Sequence, residues 1–457
     1  MRDAVPALAH ELRQRGVETV ILAGADTHGI MRGKRVPIAE LARAAERGVA
    51  LCDVIWALPV DELEPAQPPR GHAGYFPRAG YADMLAIPDL ETGRIVPWHD
   101  HTALLLCDFV DHDGSAIPLS PRAVLRSVVE RTRSMGFEPI VGLELELYLL
   151  RETPQSVLAK RPSQLVAVDE RPSVYGVVAG SRQETFAGKV RETLLDYGLL
   201  VEACNPEAGP GQLEINLRAA PALRAADEAF LLKSAVKEIA ARQGLLATFM
   251  AKPRSDWPGS SCHLHLSLRE DGSDAFRDAA AADGVSPTMR HFIGGLLAGM
   301  AELSAVFAPT PNSYRRFTPY SWAATTATWS FDNRSAGLRA ICRGDGATRV
   351  EHRQAGADAN PYLAVAAALA AGLEGVERAC EPPAPLDGDV YASPNGATPL
   401  LPATLAEATD LLERSALARD WLGDDVVEHC VAMRRSELAA QAAAVTDWET
   451  ARYLEAL

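Results

Sequence analysis

GLELELYLL (residues 142–150) alternates charged or polar residues with leucine. In an extended chain, successive side chains project to opposite faces. Glu144, Glu146 and Tyr148 therefore share one face, and Leu143, Leu145, Leu147 and Leu149 share the other. One side is a core and the other carries neighbouring carboxylates. An antiparallel strand with one solvated face would account for this stretch taken singly. What decides is whether other strands carry the same chemistry.

They do. In SSCHLHLSL (260–268), Ser261, His263, His265 and Ser267 oppose Cys262, Leu264, Leu266 and Leu268. In GQLEINLR (211–218), Gln212, Glu214, Asn216 and Arg218 oppose Leu213, Ile215 and Leu217. In TRVEHRQ (348–354), Arg349, Glu351 and Arg353 oppose Val350 and His352. GLRAI (337–341) and ATFMAK (247–252) read as further strands of the same set. Glu207 stands just upstream of the Glu214 strand.

If these strands line one sheet, four or five carboxylates and two imidazoles meet in one space. Like charges that close need a counter-charge to stay ionised, and divalent cations supply it. Oxygen-rich ligation with a histidine suits Mg²⁺ or Mn²⁺ rather than a thiolate zinc site. The arginines at 316, 334, 339, 349 and 353 suggest anions, either phosphates or a substrate carboxylate. No P-loop is present. The residues alone point to a two-metal site that handles an anionic substrate, and metal-dependent hydrolysis is compatible with them too.

The surroundings narrow the class. The chain has 457 residues, 47% of them hydrophobic, which gives room for two domains. A formal charge of −15 argues against nucleic acid or an anionic membrane as partner. No run approaches the 18 apolar residues of a membrane span. The N-terminal stretch lacks a signal core, and seven scattered cysteines form no framework, so a cytoplasmic protein is expected.

Residues 51–118 are rich in Pro, Gly and short apolar runs, and the character changes near 118. This implies a small strand-rich domain over 1–116 and a second domain over 117–457. Residues 1–23 read as a helix followed by the strand TVILAG. Ser120 and Pro121 look like the N-cap and first residue of a helix stopping at Gly136. Further helices are expected over about 224–243, 288–307, 361–379, 404–418 and 424–443.

With these stretches in hand, the chain resembles the glutamine synthetase family. The resemblance rests on GFEPIVGLELELYLL (136–150), NPEAGPGQLEINL (205–217), ATFMAKP (247–253) and GSSCHLHLSL (259–268). It continues through APTPNSYRRF (308–317), DNRSAGLR (332–339) and RVEHRQAGADANPYLAVAAALAAGLEG (349–375), in family order over most of 117–457. It implies an α+β fold, with an N-terminal β-grasp domain and a catalytic half-barrel of antiparallel strands wrapped by helices. It also implies a homo-oligomer, a dodecamer of two stacked rings, with each active site at a subunit boundary.

By resemblance, Glu146, Glu207 and Glu214 hold a first metal, and Glu144, His263 and Glu351 hold a second one bridging ATP phosphates. His265 and Ser267 contact ATP. Arg334 and Arg339 meet the transferred phosphoryl group, and Arg349 lies near the nucleotide. Gly259, Arg316 and Arg353 hold glutamate. The implied reaction phosphorylates the glutamate γ-carboxylate with ATP, and an amine then attacks the acyl phosphate, with two or more Mg²⁺ or Mn²⁺ ions per subunit.

Departures from the family pattern bear on the amine. Ammonia-using members carry a carboxylate in the flap over glutamate, where RRFTPYSWAATTATW here aligns Trp322. No match to the ammonium-binding aspartate stands in residues 50–80, where Asp61 is the nearest acidic candidate and Asp83 falls elsewhere in the pattern. Pro258 replaces an Asn found in many members beside the glutamate-contacting glycine. An aromatic wall suits an organic amine, through apolar contact and cation–π attraction; the plainer alternative is a Trp that only packs a loop.

GIMRGKRVP (29–37), IPDLETGRIVPWHD (87–100) and VTDWETARYL (445–454) resemble the branch of γ-glutamylpolyamine and other glutamate–amine ligases. The expected activity joins glutamate to a polyamine, ethanolamine or another monoamine. Glutamine synthetase proper and a non-catalytic ring-forming member are the alternatives. Tyr391 falls near a tyrosine that some members adenylylate, although GDVYASPNG lacks the context that follows it there. His28, His72, His99, His101 and His112 are surface imidazoles or border the amine entrance of a neighbouring subunit.

Overall fold

The computed structural model describes residues 4–62, 80–342, 344, 347–392 and 399–456. His72 lies outside them. The fold is α+β, built on two sheets. The first contains β1 (Thr19–Ala25), β2 (Met31–Pro37), β3 (Val49–Cys52), β4 (Asp83–Pro88), β5 (Arg94–Ile95) and β6 (Thr102–Val110). Their order is β2-β1-β6-β4-β3, with β5 also on β6.

The second sheet begins with β7 (Phe137–Leu150), β8 (Val201–Pro206), β9 (Gln212–Leu217), β10 (Ala220–Pro221) and β11 (Leu246–Thr248). It is completed by β12 (Cys262–Glu270), β13 (Ser273–Asp274), β14 (Trp329–Phe331), β15 (Leu338–Ile341) and β16 (Arg349–His352). The order is β14-β15-β16-β12-β7-β9-β8, with β10 and β11 also on β7 and β13 on β12. Pairing is antiparallel throughout except between β14 and β15.

The leucine faces of β7, β9 and β12 are buried in one core with the helices Ala222–Arg242, Pro287–Gly299 and Pro361–Glu377. Apolar burial of this kind, at roughly 25 cal/mol per Å², fixes strand register, because a one-residue slip would turn every leucine outward. Gly295 lets two of these helices touch, since a Cβ there would stand 2.2 Å from the Ala371 carbonyl oxygen. The sheets are joined by the buried Arg122, which donates to Asp227 (2.9 Å), Asp108 (2.9 Å) and Asp89 (2.7 Å). Asn360 adds a second tie, donating to the carbonyl of Asp26 at 2.9 Å.

Several elements differ from expectation. The stretch 288–307 is two helices, Pro287–Gly299 and Ser304–Phe307, because the turn after Gly299 leaves the helical path. The stretch 404–418 splits at Ser415, whose hydroxyl accepts from Ala418 N and starts a new helix. ATFMAK forms a strand only to Thr248, whose hydroxyl draws Met250 N into a turn at 3.1 Å. Ser120 makes no side-chain cap, so Pro121 marks that helix start. The helix Val177–Asp196 was not foreseen; its inward residues are mostly small or polar and give a weak pattern. Among the described residues, no helix is long and apolar enough to cross a membrane.

Candidate active site

Register aligns the polar faces into rows. Glu351 stands opposite Arg339 on one side and His265 on the other. His263 faces Glu144, which faces Asn216. Glu146 faces Glu214, and Glu214 faces Asn205. The period of two that puts leucines into the core therefore stacks carboxylates, imidazoles and guanidiniums on the opposite face. That face is not solvated: Glu146, Glu214, His263 and Glu351 are each 9% exposed or less.

The acidic end contains Glu146, Glu207 and Glu214. Glu146 accepts from Ser261 N at 2.8 Å and Gln212 Nε2 at 3.2 Å. Glu207, just past β8, accepts from Asn205 at 2.9 Å. Burial, then the charge of Glu207, pushes Glu146 up to about 7. Burial and Glu214 push Glu207 to about 7, and burial with Glu144 and Glu146 pushes Glu214 to about 8. Crowded together, these carboxyls are pushed toward the protonated form near neutrality unless a cation replaces the protons.

Beside them lies the imidazole end. Glu144 is within 3.4 Å of His263 Nδ1 and 2.9 Å of His265 Nε2. Burial opposes its charge, but these two imidazoles outweigh burial and lower its pKa. Glu351 is held down to about 2: burial raises it, but Arg353, His263 and His265 prevail. Burial, then Arg353, lowers His263, which favours a neutral, ligand-competent imidazole.

These residues fit divalent cations. One donor atom each of Glu144, Glu214 and His263 lies within 4.8 Å of the others, and the same holds for Glu144, His265 and Glu351. His263 Nε2 is buried without a hydrogen-bond partner. Glu146, Glu207 and Glu214 do not form so tight a set; they are neighbours through their charges.

The arginines divide by surroundings. Arg339 donates to Glu351 at 2.8 Å and to Asp332 at 2.9 Å. Arg353 also pairs with Glu351 and donates to the Trp322 carbonyl at 3.3 Å. Arg316 is buried and donates to Ser261 Oγ (2.8 Å) and to the carbonyls of Gln354 and Ala355 (3.2 Å each). Gly259 lies against it, since a Cβ there would stand 2.5 Å from Arg316 Cγ. Arg349 donates to His265 Nδ1 at 3.1 Å and lines a 470 Å³ cleft with His265 and Ser267. Ser267 itself donates to the Thr348 carbonyl at 3.1 Å.

Arg334 is exposed in a second cleft, of 550 Å³, with Tyr320, Trp322 and Tyr391. Trp322 packs no core: it is 59% exposed, at φ +62°. Sequence reasoning missed Tyr175, an exposed ring at φ +54° whose hydroxyl feels Glu214, Glu207 and Arg334. The only available signal was an aromatic before Gly176 in a Pro/Ser loop.

Other candidates lie elsewhere. A 900 Å³ cavity sits between the first sheet and helix Ala222–Arg242, and is lined by His28, Lys233 and Lys237 but by no strand-face carboxylate. His99 pairs with Glu238 at 2.7 Å, His101 contacts the Gly16 carbonyl at 2.8 Å, and His112 is exposed. Asp61 is exposed in a turn.

A sheet that gathers buried carboxylates, imidazoles and arginines on one face fits an enzyme site able to hold divalent cations beside an anionic substrate. Comparison with known proteins identifies the class. Residues 118–453 match the glutamine synthetase catalytic domain. Glutamate–isopropylamine ligase of a Pseudomonas species is 37% identical over 452 residues, 97% of this chain and 96% of that one. Gamma-glutamylethanolamide synthetase of Streptomyces coelicolor is 38% identical over 460 residues, 99% and 97% of the two chains. The solved structure of a GmaS/ADP complex is similar at 31% identity and TM-score 0.84, covering 98% of this chain and 99% of that one. The chain belongs to the glutamine synthetase family, and is an ATP-dependent carbon–nitrogen ligase.

Proposed function

We propose that this ligase joins the γ-carboxylate of glutamate to an organic amine. The terminal phosphoryl group of ATP moves to a γ-carboxylate oxygen, releasing ADP. The amine nitrogen then bonds to the acyl-phosphate carbon, the C–O bond to phosphate breaks, and the nitrogen loses a proton to a general base. The observation that carries the reading is Trp322, an aromatic exposed in the loop whose carbonyl meets Arg353, at the position where the family resemblance implies a carboxylate in ammonia-using members.

In this reading Glu146, Glu207 and Glu214 hold one Mg²⁺ or Mn²⁺, and Glu144, His263 and Glu351 another. When bound, such ions neutralise charge on the transferring phosphoryl group. Arg334 and Arg339 add donors to that group, while Arg349, His265 and Ser267 hold the nucleotide. Gly259, Arg316 and Arg353 orient glutamate. Seven free cysteines fit a cytoplasmic setting. Exposed Trp448, Tyr453 and Leu454 near the C-terminus fit burial in a homo-oligomer, for which we propose stacked rings. We divide the chain at residue 116, between the two sheets.

The test is ADP release from purified protein with glutamate, ATP and Mg²⁺ against isopropylamine, ethanolamine, di- and polyamines and ammonium. Turnover with an organic amine exceeding that with ammonium supports the reading, and turnover with ammonium alone refutes it.

A further inference from the structure

We infer that Tyr391 is a positioning residue that latches the Trp322 loop over the amine side of the site. The inference rests on the organic-amine reading above for the identity of the substrate, though not for the latch itself. Two residues of this loop, Tyr320 and Trp322, sit in the left-handed region at φ +63° and +62°. Bulky residues adopt that conformation only where the surroundings hold them.

Four consecutive residues are tied down. The Tyr320 ring packs on the Tyr391 ring, with centroids 5.2 Å apart. Ser321 Oγ donates to the carbonyls of Arg316 (2.7 Å) and Thr318 (2.6 Å). The Trp322 carbonyl accepts from Arg353, and the Ala323 carbonyl accepts from the Tyr391 hydroxyl at 3.0 Å. Tyr391 thus contributes both a ring contact and a hydrogen bond, from a segment about 70 residues further along the chain.

The anchor is itself fixed. Val390 N donates to Ser335 Oγ at 3.0 Å, Tyr391 N to Asp389 Oδ1 at 3.0 Å, and Asn333 Nδ2 to the Gly388 carbonyl at 2.7 Å. The latch therefore connects the Trp322 loop to the segment that carries Arg334, across the 550 Å³ cleft these residues line. The Trp322 indole gains little from packing, so its place depends on its backbone, and the backbone depends on these ties. With its hydroxyl committed to Ala323 and its ring half-buried, Tyr391 serves as an anchor in the unmodified chain.

The test is Tyr391→Phe in the full-length protein, which keeps the ring contact and removes the hydrogen bond. KM for the amine that the wild type consumes is expected to rise about five- to tenfold, the effect of one hydrogen bond, with KM for glutamate and ATP within about twofold of wild type. Chymotrypsin cleavage after Tyr320 or Trp322, read by mass spectrometry, is expected to speed up by a similar factor at unchanged Tm. An unchanged amine KM together with unchanged cleavage overturns the latch. A wild type that makes only glutamine refutes the organic-amine reading, and the latch is then judged on the ammonium KM; if no amine turns over, cleavage alone decides.

Discussion

Glu144 Oε1 lies 2.9 Å from His265 Nε2, while the other nitrogen of that imidazole accepts from Arg349 at 3.1 Å. With Nδ1 accepting from a guanidinium donor, a neutral ring carries its proton on Nε2, which is buried beside the carboxylate without a hydrogen bond of its own. Arg349, His265 and Glu144 thus form a chain running from the 470 Å³ cleft to the acidic face.

Breaking that chain tests whether it works as a unit. Arg349→Ala is expected to lower kcat/KM for ATP about ten- to a hundredfold, the range of a charge-assisted hydrogen bond. His265→Ala is expected to cost as much. The double variant is expected to cost little more than either, because neighbours in one network are not additive. Fully additive losses would show that the two residues act separately.

Glu214 offers a prediction of the opposite sign for stability and activity. Its carboxyl is raised to about 8 by burial and by Glu144 and Glu146. Glu214→Gln keeps the shape and removes the repulsion. The metal-free variant is expected to melt higher than metal-free wild type at pH 8, yet to lose Mg²⁺-induced stabilisation and turnover. A lower melting temperature without metal would contradict the electrostatic account of this site.

The same shifts set a pH dependence. Glu146, Glu207 and Glu214 have folded values of about 7, 7 and 8, above the unfolded value of about 4.3. These three carboxyls bind more protons in the folded than in the unfolded state between those limits, so their contribution to metal-free stability is lost as pH rises to about 8. His28, His263 and His352, whose pKa values burial lowers, oppose it below about 6.5, so the fall is expected above that pH. Divalent cations displace these protons, so Mg²⁺ affinity rises over the same window and binding releases protons. Calorimetry in buffers of different ionisation enthalpy reads the release; binding without proton release would contradict the assignment.

Much of the site was legible in the sequence because period-two alternation is a local property. Glu144, Glu146, Glu214, His263, His265 and Glu351 each oppose a leucine, isoleucine or valine neighbour, so the pattern shows which side they face. That His263 pairs with Glu144 and Glu351 with Arg339 depends on register between strands far apart in the chain. The breaks at Gly299 and Ser415 turn on caps and turns that compete closely with helix continuation. Tyr175 had no periodic signal at all, since only the path of its loop brings it near Glu207.

Trp322 can be tested by substitution in both directions. Trp322→Ala is expected to raise KM for an organic amine several-fold, in line with about 1 kcal/mol for an exposed aromatic–cation contact. Trp322→Glu, which returns a carboxylate to the loop, is expected to raise ammonium use relative to organic amine. A Trp322→Glu variant with an unchanged preference would remove Trp322 from the amine side of the site.

The central claim is tested most directly by competition. Wild-type protein with glutamate, ATP and Mg²⁺ is given equimolar ammonium and ethanolamine or isopropylamine, and the products are read by mass spectrometry. The account predicts mainly the γ-glutamyl amide of the organic amine, one ADP and one phosphate per amide. Glutamine as the dominant product would contradict it.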